Sequence, residues 1–222
     1  MDQLMEKIAL YLEKGKIDAN SPYPPELSGQ DGVSELTQKA IENGIPPERI
    51  LNEGLIKGME EVGRKWRNDK LYLPDVILSA EVMKKGMQML EPFFSSGEIK
   101  HKGDFVIGTV EGDLHDIGKN IVKMFFIGGG WKVIDVGVDK GPEVFQKAIE
   151  EHKPSAVGLS ALLTTTMDSM EEITKILVTK YPGIKVIVGG APITQEFADE
   201  IGAHAYFKDP PSALEYINAN CI

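Results

Sequence analysis

"DFVIGTVEGDLHDIGKNIV", residues 104–122, holds the grammar of the whole C-terminal half. Its start, FVIGTV (105–110), is almost unbroken apolar and β-branched, as expected of a strand buried on both faces. EGDLHDIG then puts acids, a histidine and two glycines into a short turn, and a helical segment begins near residue 118. The pattern recurs. Runs at 132–137 (KVIDVG), 156–161 (AVGLSA), 185–190 (KVIVGG) and 203–207 (AHAYF) alternate with helical segments near 118–128, 142–152, 168–180 and 194–200, and a last helix covers about 211–219. The GGG at 128–130 follows a helix and reads as a chain turn.

Apolar strands joined by helices predict an α/β domain with a Rossmann-like (flavodoxin-like), doubly wound, five-stranded parallel sheet. The chain divides near residues 92–103, and everything before that is helical. Leu4, Ile8 and Leu12 share one face of a first helix. SPYPPELSGQDG (21–32) is a loop rich in proline and glycine, with no role assigned beyond a docking loop. VSELTQKAIENG closes on Gly44, and a third helix starts at Pro46–Pro47, with Ile50, Leu55, Met59, Val62 and Trp66 on its buried face. A fourth restarts around Pro74. The expectation is a four-helix bundle cap over residues 1–95 and the α/β domain over 96–222.

Composition narrows the function. The chain has 222 residues with 34 acids against 24 Lys and Arg, a formal charge of −10. That balance argues against a nucleic-acid surface, which needs clustered bases. No apolar run is long enough to cross a bilayer. The N-terminus is acidic and unlike a signal peptide, and the single Cys221 excludes a disulfide within the chain, so a cytoplasmic location is the simplest expectation.

Ligands of such sheets sit beyond the carboxyl ends of the strands. Those ends carry EGDLHDIG, SALLTTT, GGAPIT and KDPPS. By itself, a histidine in a βα loop is an ordinary polar residue, and GDLHDIG fits neither nucleotide fingerprint. Yet His115 stands two residues from Asp113, close enough for the ring to donate to the carboxylate while its other nitrogen binds a metal. No histidine or cysteine nearby completes a zinc site. A lone imidazole suits the axial position of a metal already held by a macrocycle.

Asp113-x-His115-x-x-Gly118, Ser160-x-Leu162 and Gly189-Gly190 resemble, in order and spacing, the three-part signature of the B12-binding domain. GMEEVGRKWRNDKLYLPDVILSAEVMK (58–84) is similar to the helical cap that precedes that domain in cobalamin-dependent methionine synthase and in the small corrinoid proteins of methyltransferase systems. The resemblance covers roughly residues 34–210. It implies a cobalamin or related corrinoid, cycling between methylcobalamin and cob(I)alamin, held base-off with His115 as the lower cobalt ligand. Asp113 would be the partner of His115, and Thr166 would stand where the family's relay has a serine. The cofactor's tail and base would be received by Gly112, Leu114, Asp116, Gly118, Ser160, Leu162, Thr164, Thr165, Gly189, Gly190, Ala191, Asp209 and Pro210. Trp66, Leu73 and Val76 would shield the upper face, with tryptophan replacing the usual phenylalanine; ordinary bundle core is the other reading of these three.

With no methyltransferase barrel and no reactivation domain in the sequence, the resemblance implies a free-standing methyl carrier. A donor-specific methyltransferase would load it, and a second would pass the methyl to a folate or thiol acceptor; a reductive activating protein would be a further partner. Alone, the subunit would not complete a catalytic cycle. Adenosylcobalamin mutases lack this cap, and light-sensing regulators add a DNA-reading domain that the first 33 residues are too short to form. A corrinoid storage or sensor protein stays open as the alternative.

Overall fold

In the N-terminal half, apolar residues recur every three or four positions, and the computed structural model, which describes residues 2–221, folds them as helices. Helix α1 (Asp2–Glu13) buries Met5, Ile8, Tyr11 and Leu12. Helix α2 (Val33–Glu42) starts where the Glu35 carboxylate accepts the Gly32 N–H at 2.8 Å, and it buries Val33, Leu36 and Ala40. The third helical run is continuous but irregular. It passes from α3 (Pro47–Arg49) through a π-helical stretch, Ile50–Ile56, into α4 (Lys57–Arg67). The wider π turn keeps Ile50 and Leu55, five residues apart, both buried. Gly54 and Gly58 let this run press on α1: a Cβ at Gly58 would lie 2.9 Å from the Ala9 carbonyl oxygen. Helix α5 (Leu73–Ser95) carries Pro74 in its first turn, and Asp75 caps the Tyr72 N–H at 2.9 Å.

The proline-rich stretch is tied down rather than loose. It forms a short 3-10 turn, Pro25–Leu27, with a cis Tyr23–Pro24 peptide. Leu27 is buried, the Tyr11 hydroxyl donates to Gln30, and the buried Lys16 donates to the Ser21 carbonyl at 2.8 Å.

The C-terminal half alternates strand and helix: β1 (Asp104–Val110), α6 (Ile117–Gly128), β2 (Lys132–Lys140), α7 (Pro142–His152), β3 (Ala156–Ser160), α8 (Met167–Lys180), β4 (Lys185–Gly189), α9 (Gln195–Ile201), β5 (Ala205–Tyr206) and α10 (Pro210–Asn220). All pairings are parallel, in the order β2-β1-β3-β4-β5. This is the doubly wound, flavodoxin-like order, with its switch point between β1 and β3. Alternate residues of β1 feed two cores. Val106 and Val110 pack with Phe145, Val157, Met170 and Leu177 on one face. Phe105 and Ile107 pack with Phe126, Trp131, Ile187 and Ile217 on the other, where Phe105 and Phe126 stack at 3.9 Å.

Most boundaries fall within one or two residues of the sequence expectation, and β2 and β5 depart furthest from it. β2 runs on to Lys140 instead of stopping at 137, because bulges lengthen it against β1. β5 shrinks to two residues, since only Ala205 and Tyr206 find partners on β4. The chain folds as two compact units: the residues up to His101, with Ile127–Gly130, form one, and Lys102–Phe126 with Trp131 onward form the other. No helix among the described residues is long and apolar enough to cross a membrane.

Candidate functional site

The loop after β1 and the loop after β3 flank the switch point, and one carboxylate ties them together. Asp113 is fully buried. Its Oδ1 accepts the His115 N–H at 3.0 Å and faces His115 Nδ1 at 2.7 Å. Its Oδ2 accepts the N–H groups of Leu162 (2.6 Å) and Leu163 (3.3 Å) and lies 3.1 Å from the Thr166 hydroxyl. Burial pushes this carboxyl upward. The backbone donors from Leu162 and His115, the His115 ring and the Leu163 N–H outweigh it and hold Asp113 well below the usual carboxylate range. Asp113 is therefore an anion at neutral pH.

An ionised carboxylate can only accept, so Nδ1 of His115 carries the hydrogen of that bond. In the neutral ring, Nε2 is then left with its lone pair. The His115 side chain is half exposed, at 50%, while its partner's is at 0%. The imidazole is thus fixed at its inner nitrogen and open at its outer one. Thr109, at the end of β1, donates to the His115 carbonyl at 2.9 Å and steadies the loop. The Thr166 hydroxyl also lies 2.9 Å from the Leu163 carbonyl, so its one proton serves one acceptor at a time.

Around this pair the sheet edge presents an unusual surface. Leu114 and Ile117 are 72% and 69% exposed, and Leu162 and Leu163 are also open. Thr164 and Thr165 expose their hydroxyls in a 3-10 turn that ends at the buried Thr166. Ser160 closes β3 and is half-buried. Asp116 and Gly118 are exposed; Asp116 accepts from Asn120, and nothing lies within 4 Å of where a Cβ of Gly118 would stand. Gly189 ends β4, and Ala191 is exposed just beyond it.

Three of the expected tail residues have duties within the chain. A Cβ on Gly190, at φ 136°, would overlap the Ala161 carbonyl oxygen, so the packing of the β3 and β4 ends already demands glycine there. Asp209 is the N-cap of α10, accepting from the Ser212 N–H and hydroxyl at 2.9 Å each, and Pro210 is the first residue of that helix. In the helical unit, Val76 is fully buried, Trp66 is partly exposed and Leu73 is 38% exposed.

Sequence reasoning missed the polar framework behind the loop. Lys119 is 3% exposed, yet it reaches both oxygens of Asp135 at 2.8 and 2.7 Å, with Lys123 joining at 3.0 Å. Gly112 donates to Asp139 at 2.8 Å. The signals were there: an acid inside the apolar strand KVIDVG, and Lys119 and Lys123 in a mostly apolar helix.

Such a site has one outward imidazole nitrogen, an anchored anion behind it, and apolar and hydroxyl-bearing loops at the mouth of a flavodoxin-like sheet. Among the described residues no cluster of three or more His, Cys, Asp or Glu could hold a bare metal ion. A single outward imidazole in such a setting is the donor expected by a metal that brings its other ligands with it, in a macrocycle-binding α/β protein. Residues 103–216 match the B12 binding domain family, and residues 30–91 match a second family also described as a B12 binding domain. The chain is 43% identical over 194 residues to a corrinoid protein of Desulfitobacterium hafniense (strain Y51), covering 85% of this chain and 90% of the relative. It is 38% identical over 193 residues to trimethylamine corrinoid protein 2 of Methanosarcina mazei, covering 84% and 88%. Among solved structures, a chain of the methanol:cobalamin methyltransferase complex of Methanosarcina barkeri superposes with a TM-score of 0.81 at 30% identity, over 98% of this chain and 79% of that chain. The chain belongs to the B12-binding family of corrinoid proteins, whose cofactor is a corrinoid.

Proposed function

We propose that this chain is a corrinoid methyl carrier. It holds its cofactor base-off, with His115 Nε2 on the cobalt, and serves a donor-specific methyltransferase on one side and an acceptor methyltransferase on the other. The observation that carries the reading is the Asp113–His115 pair at 2.7 Å, its outer nitrogen open at the switch point. The relatives' names support the methyl-transfer setting: they are corrinoid proteins for trimethylamine and dimethylamine, and the structural neighbour is a methanol methyltransferase complex. We therefore propose a small methylated amine or alcohol as the donor class and a folate or thiol as the acceptor.

When bound, the corrinoid supplies a cobalt centre that accepts and gives up a methyl group. The chain's own residues set the conditions. Asp113 fixes the imidazole's tautomer and orientation and strengthens it as a donor. The Leu162 and His115 amides, the His115 ring and the Leu163 amide keep Asp113 ionised, so its anchoring persists across the neutral range. Leu114, Ile117, Leu162 and Leu163 exclude water from a bound macrocycle, and the space over Gly118 admits a close-lying tail.

Two experiments test this. Reconstitution with methylcobalamin should give a base-off, histidine-on spectrum that His115→Ala loses. Mixing the methyl-loaded protein with a donor methyltransferase and the demethylated donor should move the methyl group onto that donor; retention of the cofactor with no transfer would assign the chain to storage instead.

A further inference from the structure

β2 does not keep step with β1. Ile107 stands opposite Asp135, Gly108 opposite Gly137 and Val110 opposite Lys140, so β2 gains one extra residue at each of two steps. Bulges of this kind re-aim side chains beside functional sites. The second leaves Asp139 at φ 55°, in the left-handed region. Apart from glycine, Asp and Asn tolerate that region best, and such a conformation persists where the surroundings impose it.

The bulge gives Asp139 two bonds to the histidine loop. Its Oδ1 accepts the Gly112 N–H at 2.8 Å, and its own N–H donates to the Asp113 carbonyl at 3.0 Å. These bonds bracket the Gly112–Asp113 segment from outside the site. On the inner side, Asp113 spends its carboxylate on His115 and the β3 loop. The other local tethers are the Asp113 N–H on the Val110 carbonyl and the Thr109 hydroxyl on the His115 carbonyl. Without the bracket, the peptide that carries Asp113 keeps only its carboxylate bonds and the turn to Val110. We infer that Asp139 is a positioning residue: the bulged end of β2 fixes the Gly112–Asp113 segment and thereby sets where His115 Nε2 points. This rests on His115 being the lower cobalt ligand.

Three variants of the full chain separate the bracket from general stability. Asp139→Asn keeps an acceptor and tolerates the backbone. Asp139→Gly keeps the backbone and loses the acceptor. Asp139→Ala loses both. Methylcobalamin affinity is measured for each in the wild-type and His115→Ala backgrounds, the histidine-on fraction in the wild-type background, and Gly112 amide exchange in the cofactor-free protein. Asp139→Gly and Asp139→Ala should speed Gly112 exchange and weaken binding about threefold to tenfold, the size of one net hydrogen bond. Asp139→Asn should stay near wild type, and none should change affinity further once His115 is alanine. Equal losses in both backgrounds would mark a structural role and overturn the inference, as would an unchanged histidine-on fraction in Asp139→Gly. A spectrum that His115→Ala leaves intact would overturn the ligand assignment itself, and the inference with it.

Discussion

Asp113 shows how a single residue is made to serve a site. Burial alone would favour its neutral form, but donors from two loops converge on it and keep it charged. Asp113→Asn would turn an acceptor oxygen into an NH2 group facing N–H donors, and urea unfolding should show a loss of about 2–3 kcal/mol. The pH dependence follows in sign. The folded carboxyl lies below its ordinary value of 3.8, so its stabilisation is complete above that value and is lost as pH falls toward the folded value. Wild type should therefore lose stability more steeply than Asp113→Asn between about pH 5 and pH 2; parallel curves would show that the carboxylate is not specially held. Thr166→Ser should behave as wild type, and Thr166→Val should cost about 1 kcal/mol. The Asp113–His115 pairing was legible in the sequence because both residues share one turn. Thr166 lies 53 residues from Asp113, so only a resemblance could bring it to the site.

Among the elements, β2 and α6 hold what the sequence concealed. Lys119 emerges from the first turn of α6 and is buried against Asp135 of β2, a contact between elements that no periodicity reveals. Removing one partner of a buried pair strands the other. Lys119→Met should destabilise by about 2–4 kcal/mol, somewhat relieved by Lys123, and adding Asp135→Asn should recover part of the loss; additive effects in that double-mutant cycle would contradict the coupling. Gly190→Ala should cost at least about 2 kcal/mol in thermal or urea unfolding, because its Cβ would overlap the Ala161 carbonyl. The sequence marked Gly189–Gly190 as special, but the obstacle at Gly190 belongs to the neighbouring strand end, and strand adjacency is not written along one strand. Helix periodicity located the third bundle helix, while its π stretch stayed hidden: a run with one spacing of five still reads as amphipathic.

For the molecule as a whole, alternation of strand and helix was enough to read an α/β domain behind a helical one. The order β2-β1-β3-β4-β5 was not written in any one segment, since it depends on which way each crossover turns. That order matters to function, because it puts the histidine loop and the hydroxyl loop on either side of one crevice. The acidic balance, −10, argues against a nucleic-acid surface. The central claim is that a corrinoid sits at this crevice with His115 on its cobalt. The most direct measurement is the ultraviolet–visible spectrum of the chain reconstituted with methylcobalamin, beside His115→Ala. A base-off, histidine-on spectrum in the wild type that becomes base-off, histidine-off in the variant is the predicted result. A wild-type spectrum that the variant reproduces, or a protein that retains no corrinoid, would contradict it.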